Sequence, residues 1–188
     1  KMDMNLFYDK YLKALSKALK SIDSSKVKIL YDQIMKTKAK NGKLLIFGNG
    51  ANMSNASHFA TDMTKNGKIK TMVFSDANLI TCFANDYGFE KWVSKAIEYY
   101  ADKKDMVILL SASGKSKNLI NAANFCKKKK IKLITITGFD KKNKLSKLGN
   151  INIWINSKSY NLVEIAQMTI LLSIVDKKIG KLVYSSKM

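Results

Sequence analysis

The stretch Met106-Val107-Ile108-Leu109-Leu110-Ser111-Ala112-Ser113-Gly114-Lys115-Ser116 decides the fold. Its first five residues form an apolar run suited to a strand buried on both faces. The polar–apolar pattern from Lys117 to Lys127 then predicts a helix. Between them stand three serine hydroxyls and one glycine. A strand that ends in small hydroxylic residues and turns into a helix N-terminus makes a cradle for phosphate. The first-turn N–H groups are unpaired, the helix dipole favours an anion, and serine adds donors without bulk. A plain N-cap by Ser113 or Ser116 accounts for the same residues. By itself the stretch leaves both readings open.

Outward from it the same grammar repeats. Lys43-Leu44-Leu45-Ile46-Phe47 is another apolar run, ending in Gly48-Asn49-Gly50-Ala51-Asn52, and a helix is predicted from Met53 to Lys65. Strands are also predicted over 71–74, 132–137 and 151–155, the last alternating enough to lie at a sheet edge. Helices are predicted over 89–100 and 117–129, with a small one over 143–148. Asp76 starts a short helix through Phe83. Asn85-Asp86-Tyr87-Gly88 reads as a turn, since Asn, Asp and Gly tolerate left-handed backbones. Strands alternating with helices specify an α/β fold, a three-layer αβα sandwich around a central parallel sheet. Ligands in such folds sit at the carboxyl ends of the strands. The loops at 48–52, 85–88 and 111–116 lie at or near that end, and their convergence favours the phosphate reading of 111–116.

Two helices precede the sheet, over 3–20 and 25–40, with Ser24 or Ser25 placed to cap the second. The first carries more apolar side chains than one face needs, so part of it is expected to pack on another subunit. The last helix, Leu162 to Ile179, is apolar over most of its surface, as expected of a helix buried between subunits. Residues 1–188 thus read as one domain: N-terminal helices over 1–40, an α/β core over 41–158 and a C-terminal helix over 160–180.

Composition bounds the function. With 46% hydrophobic and 26% charged residues among 188, the chain reads as globular and not as intrinsically disordered. No stretch reaches the roughly 18 uninterrupted apolar residues of a membrane span. No signal-peptide pattern opens it, and Lys1 ahead of Met2 reads as an expression remnant. Cys82 and Cys126 are too few for a disulfide framework and lack metal-motif spacing, so the expected compartment is the cytoplasm. The net charge of +20 invites a nucleic-acid reading. Every basic side chain is lysine, however, and the lysines are spread along the whole chain; arginine, suited to bidentate recognition of guanine and phosphate, is missing. No specific nucleic-acid partner is expected, although salt-sensitive, non-specific binding to polyanions suits so basic a chain. The run Lys127-Lys128-Lys129-Lys130 falls where a helix should end and where cations suit the dipole.

Gly48-Asn49-Gly50 does not extend to the dinucleotide pattern, since position 53 is Met, and the ATP loop ending in Lys-Ser/Thr is absent. Both argue against a nicotinamide or ATP site. The only histidine, His58, has Asp62 four residues on and so on the same helical face. This pair reads either as catalytic or metal-binding, facing the loop cleft, or as a histidine bonded to its own helix neighbour.

Taken in order, Gly48-Asn49-Gly50, Ala56-x-His58-Phe59-Ala60, Ser75-Asp76, Asn85-Asp86-Tyr87-Gly88-Phe89 and Ser111-x-Ser113-Gly114-x-Ser116 resemble the sugar isomerase (SIS) superfamily, and within it the phosphoheptose isomerase family. The resemblance runs over nearly the whole chain and implies a flavodoxin-like SIS fold. It implies that Ser111, Ala112, Ser113 and Ser116 hold a sugar phosphate. Asn49, Gly50, Ala51 and Asn52 would line the sugar end with Asn85 and Asp86. It also implies homotetramers with shared sites.

Departures accompany the likeness. The family's Gly-Gly-Ser is Gly50-Ala51-Asn52 here, and its Ser-Thr-Ser-Gly is Ser111-Ala112-Ser113-Gly114. Its catalytic glutamate is Asp62. On the last helix the family's Arg-Ile-Gln-Glu-x-His is Asn161-Leu162-Val163-Glu164-Ile165-Ala166, and a later histidine is Leu171. Zinc, used by some members, would find His58 and Asp62 but not the rest of its set, so no metal or other cofactor is expected. The catalytic residues implied are Asp62 or Glu164 as base and His58 as proton shuttle. Three functions follow: an aldose–ketose isomerase acting on sedoheptulose 7-phosphate or a related sugar phosphate, with an impaired or altered catalytic set; a phosphosugar sensor without turnover; and a DiaA-like protein-interaction scaffold.

Overall fold

The computed structural model describes residues 3–182. Lys1 and Met2, with the expression-remnant reading of Lys1, lie outside them. Five strands form one parallel sheet: β1 (Leu44–Phe47), β2 (Thr71–Val73), β3 (Met106–Ser111), β4 (Lys132–Thr137) and β5 (Ile151–Trp154). Their order is β2-β1-β3-β4-β5, so β5 is an edge, as its alternation predicts. The inner strands β1 and β3 are buried along their whole length. That is what unbroken apolar runs require in a sheet covered on both sides.

Alternation along each strand divides the core. Leu44, Ile46, Met106, Ile108, Leu110, Ile134 and Ile136 point to one face and pack with Phe59 and Met63 of α3 (Ala51–Lys65) and with Val163 and Leu171 of α7 (Tyr160–Ile179). The first two helices, α1 (Met4–Lys20) and α2 (Ser24–Ala39), cover the same face. Leu45, Phe47, Val107, Leu109 and Leu133 point to the other, against α5 (Trp92–Tyr100) and α6 (Lys117–Lys129). The helix α4 (Ala77–Tyr87) packs on α5. Among the described residues no helix is long and apolar enough to cross a membrane.

Several local expectations change. The N-cap of α2 is Asp23, whose carboxylate accepts the Ser25 N–H at 3.0 Å; Ser24 and Ser25 lie inside the first turn. The stretch 85–87 is not a turn but the last turn of α4, which runs on to Gly88. Asp76 caps α4 as expected, accepting the Leu79 N–H. The small helix over 143–148 is a single 3₁₀ turn, Leu145–Lys147. The two helices expected at subunit contacts differ. Eight residues of α7 are already buried within its own chain. On α1 only Ala18 is buried, while Met4, Leu6, Phe7, Tyr8 and Leu12 are exposed. The surplus apolar surface belongs to α1.

At the amino-terminal end of the sheet one carboxylate ties the start of β1 to the connection before β3. Asp105, 1% exposed, accepts the backbone N–H of Lys43 and of Asp102, both at 2.8 Å, and the Lys43 ammonium. Burial lowers the Lys43 pKa, but its hydrogen bonds and charge contacts with Asp105 and Asp102 outweigh this and leave it raised.

Candidate functional site

The strand order builds the site. From β1 the chain passes through α3 to β2 on one side, then returns across the sheet to β3 on the other. The helices that follow β1 and β3 therefore leave on opposite faces, opening a crevice between the two carboxyl ends. Both glycine- and serine-bearing loops flank that crevice. The register pairs Phe47 with Leu109, and two residues further on stand Asn49 and Ser111.

The serine loop is held from within. The Ser111 hydroxyl accepts the Gly114 N–H at 3.0 Å, and the Ser113 hydroxyl accepts the Lys115 N–H at 3.3 Å. Gly114 has φ +63°, and a Cβ there would fall 1.9 Å from the Asn143 amide oxygen. Only glycine satisfies both the left-handed backbone and the close approach. Asn143 is itself fixed, donating to the carbonyls of Gly138 and Asp140 and accepting from the Ser146 N–H. Ser116 occupies the N-cap of α6 but makes no capping bond. This departs from the plain N-cap reading: the hydroxyl is left available at a helix N-terminus where, of the first three N–H groups, only that of Leu119 is taken by a side chain. Ser113 and Ser116 are half-buried, whereas Ser111 and Ala112 are buried beneath them.

The two loops are clamped by a reciprocal amide pair. Asn49 Nδ2 donates to Asn118 Oδ1 at 3.0 Å, and Asn118 Nδ2 donates to Asn49 Oδ1 at 2.9 Å. Asn118, 2% exposed, also accepts the Leu119 N–H. Sequence reading passed over Asn118, one of several asparagines in a polar stretch. Its signal was present: it stands two residues after the N-cap, on the face the crevice uses. Beneath the glycine loop, a Cβ on Gly48 would fall 2.6 Å from Asn52 Cβ, so α3 begins tight against the end of β1. Asn52 is buried and its Oδ1 has no hydrogen-bond partner. Gly50 is the N-cap of α3, and Ala51 is exposed at its first position.

A cavity of about 370 Å³ opens beside Asn49 and Gly50 and reaches Ser75, Phe89 and Trp92. It brings Ser75 and Phe89 to the glycine loop. Asn85 and Asp86 behave differently. Both are exposed, and their side-chain hydrogen bonds stay within α4: Asn85 with Asp86, and Asp86 with the Cys82 thiol.

The acid–base candidates lie away from the serine loop. His58 Nε2 is 3.1 Å from an Asp62 carboxylate oxygen, and their side chains are 52% and 23% exposed. At 1.5 Å per residue they stand about 10 and 16 Å along α3 from its first residue. His58 is exposed and Asp62 half-buried, and neither lines the cavity beside the glycine loop. Glu164 opens into a different groove, of about 490 Å³, shared with Tyr11, Asn55, Met168 and Leu172. The Asn55 amide donates to the Glu164 carbonyl, and partial burial raises the Glu164 carboxyl pKa. The residues standing where the family's α7 carries glutamine and histidine, Val163 and Leu171, are wholly buried, with Val163 pressed on Gly138. For zinc, the chain brings two donors together at His58 and Asp62, and no group of three metal-ligating side chains gathers among the described residues. Three protein ligands are the usual minimum for zinc, and His58 and Asp62 supply two of them within one chain.

Comparison with known proteins shows the family and the fold. The SIS domain model matches residues 7–138. The phosphoheptose isomerase of Helicobacter pylori (strain P12) is 34% identical over 133 residues, covering 68% of this chain and 69% of that protein. That of Glaesserella parasuis serovar 5 (strain SH0165) is 32% identical over 151 residues, covering 74% and 77%. Among solved structures, the phosphoheptose isomerase of Neisseria gonorrhoeae superposes with TM-score 0.86 at 20% identity, over 94% of this chain and 99% of that one. The enzyme of Francisella tularensis gives 0.87 at 19%, over 96% and 100%. The Vibrio vulnificus NanR protein complexed with ManNAc-6P gives 0.73 at 15%, over 94% and 62%. With a family model spanning well over half its length and relatives above 30% identity, the chain belongs to the phosphoheptose isomerase family of SIS-domain proteins.

Proposed function

We propose that the chain binds a sugar phosphate across the crevice and interconverts its ketose and aldose forms, with sedoheptulose 7-phosphate as the substrate class. The observation that carries this is the uncapped Ser116 hydroxyl at the start of α6, beside Ser113 and clamped to the glycine loop through Asn49 and Asn118. The phosphate would be held by the serine hydroxyls and first-turn N–H groups. The sugar would extend past Asn49 and Gly50, with Ala51 and Asn52 behind them, towards Ser75.

Isomerisation moves a proton between adjacent carbons through an enediolate, so it needs a base at the carbon acid and a group that shuttles protons between oxygens. Glu164, whose pKa is raised by burial, or Asp62 serves as base, and His58 as shuttle. Because His58 and Asp62 line no part of the cavity at their own chain's glycine loop, the proposal includes a homotetramer in which α3 of one chain serves the serine loop of another. The exposed apolar side chains of α1 supply surface for such an assembly. Replacing the family's α7 histidine by Leu171 lowers the rate by the ~10²–10⁴ typical of a lost acid or base.

The test is complementation. A chain carrying Ser113→Ala and Ser116→Ala and one carrying His58→Ala and Asp62→Asn are each inactive on sedoheptulose 7-phosphate. Co-expressed hybrids recover activity if sites are shared, whereas hybrids as inactive as the parents refute the sharing. Binding without solvent-proton exchange in the unmodified protein would instead support a phosphosugar sensor, the reading favoured by the burial of Val163 and Leu171. A DiaA-like scaffold needs no phosphate grip, and absence of sugar-phosphate binding would support it.

A further inference from the structure

At the opposite end of the sheet a cleft of about 600 Å³ is walled by the end of α2, the residues before β3, the end of α6 and the 3₁₀ turn before β5. Eight of its seventeen lining residues are lysines, against 34 basic residues in the 188 of the whole chain; the cleft is enriched about two and a half times beyond the chain's lysine content. They come from four separate segments, for instance Lys36, Lys104, Lys130 and Lys147. One acid lines the cleft, Asp105, and it is already engaged by Lys43 and two backbone N–H groups. Among the described residues none of the eight lysines pairs with a carboxylate.

We infer that this cleft is a second anion site, separate from the serine loop, and that it takes a compact oligophosphate, a small molecule with two or more consecutive phosphoryl groups. Converging like charges repel one another, and a polyanion relieves that repulsion at several points at once. Lysine binds phosphate as a point charge, and the volume is that of a small-molecule site. Nucleic acid fits less well. No Phe, Tyr or Trp lines the cleft to stack a base, and arginine, which reads guanine, is missing from the chain. The inference does not depend on the sugar-phosphate reading, because the two sites lie at opposite ends of the strands.

Calorimetric titration with inorganic triphosphate tests it. The expected result is one triphosphate per chain, weakened by added salt and unaffected by saturating sugar phosphate. The triple variant Lys36→Gln, Lys104→Gln, Lys147→Gln should bind about tenfold or more weakly. A charge-matched control on exposed lysines at and beyond the end of α3, Lys65→Gln, Lys68→Gln, Lys70→Gln, none of which lines the cleft, should bind as the unmodified chain does. Equal losses in both variants would reduce the effect to overall charge and overturn the site. So would absence of triphosphate binding, displacement by sugar phosphate, or an oligonucleotide that binds the cleft where triphosphate does not. Circular dichroism melts of both variants separate misfolding from lost binding.

Discussion

The two ends of one sheet meet anions in opposite ways. At the carboxyl ends of β1 and β3 the fixed hydrogen-bonding groups are neutral: serine hydroxyls, a reciprocal asparagine pair and the N-terminus of α6, with the exposed Lys115 among them. At the amino ends stand formal charges: the lysine cleft and, beside it, the Lys43–Asp105 pair. The difference follows from chain direction. Helices after parallel strands begin at the carboxyl end, so aligned N–H dipoles gather there without charged side chains. The same helices finish at the amino end, where their carbonyls attract lysines. A grip made of fixed dipoles is short-ranged and specific in shape. One made of flexible ammonium groups is long-ranged and screened by salt.

Four changes would break or sharpen that contrast. The largest effect should come from Asp105→Ala, which leaves two backbone N–H groups without their acceptor and the Lys43 ammonium with Asp102 alone. A loss of about 3 kcal/mol in urea unfolding is expected, with sugar-phosphate affinity in the folded protein unchanged; lost affinity at full folding would show that the two ends are coupled. Next is Gly114→Ala, which forces a Cβ into the Asn143 amide on a left-handed backbone. About 2 kcal/mol of stability should go together with sugar-phosphate binding, read by thermal melts and calorimetry. Asn118→Leu opens the clamp and leaves the Asn49 amide unpaired. Its expected cost is about 1 kcal/mol, and its signature is weaker sugar-phosphate binding with triphosphate binding at the lysine cleft preserved.

The smallest effect concerns pH. The pKa of Lys43 is raised above its ordinary 10.5. Its contribution to stability is therefore complete below that value and is lost as pH climbs through the higher folded one. Alkaline unfolding of the native chain and of Lys43→Met should converge above this range and differ below it. A constant difference across the range would rule out the ion pair as its source.

Much of the architecture was legible because the buried strands are unbroken apolar runs, and 106–110 and 132–137 need no tertiary knowledge to place. Misreadings arose where a residue type has two uses. Asn85-Asp86 suits a turn by local preference, yet the apolar side of α4 continues through Phe83 to Tyr87, whose ring packs edge-on against Phe83. Ser24 and Ser25 suit a cap, but Asp23 stands one residue earlier and its carboxylate is the stronger acceptor. The serine loop was found because glycine and hydroxyls cluster in sequence. Asn118 and Asp105 were not, because their partners lie 69 and 62 residues away and nothing local announces a long-range bond. His58 and Asp62 were paired correctly, but whether that pair lines the cavity depends on how α3 lies on the sheet.

The Asn49–Asn118 clamp has one more implication. Amides neither gain nor lose protons in the accessible range, and the three serines share that indifference. The protein's half of the cradle is thus electrically constant from mildly acid to mildly alkaline solution. Any acidity profile in sugar-phosphate retention must come from the ester's own second ionisation, and a further inflection in turnover points outside the cradle, to groups such as Glu164 with its raised pKa.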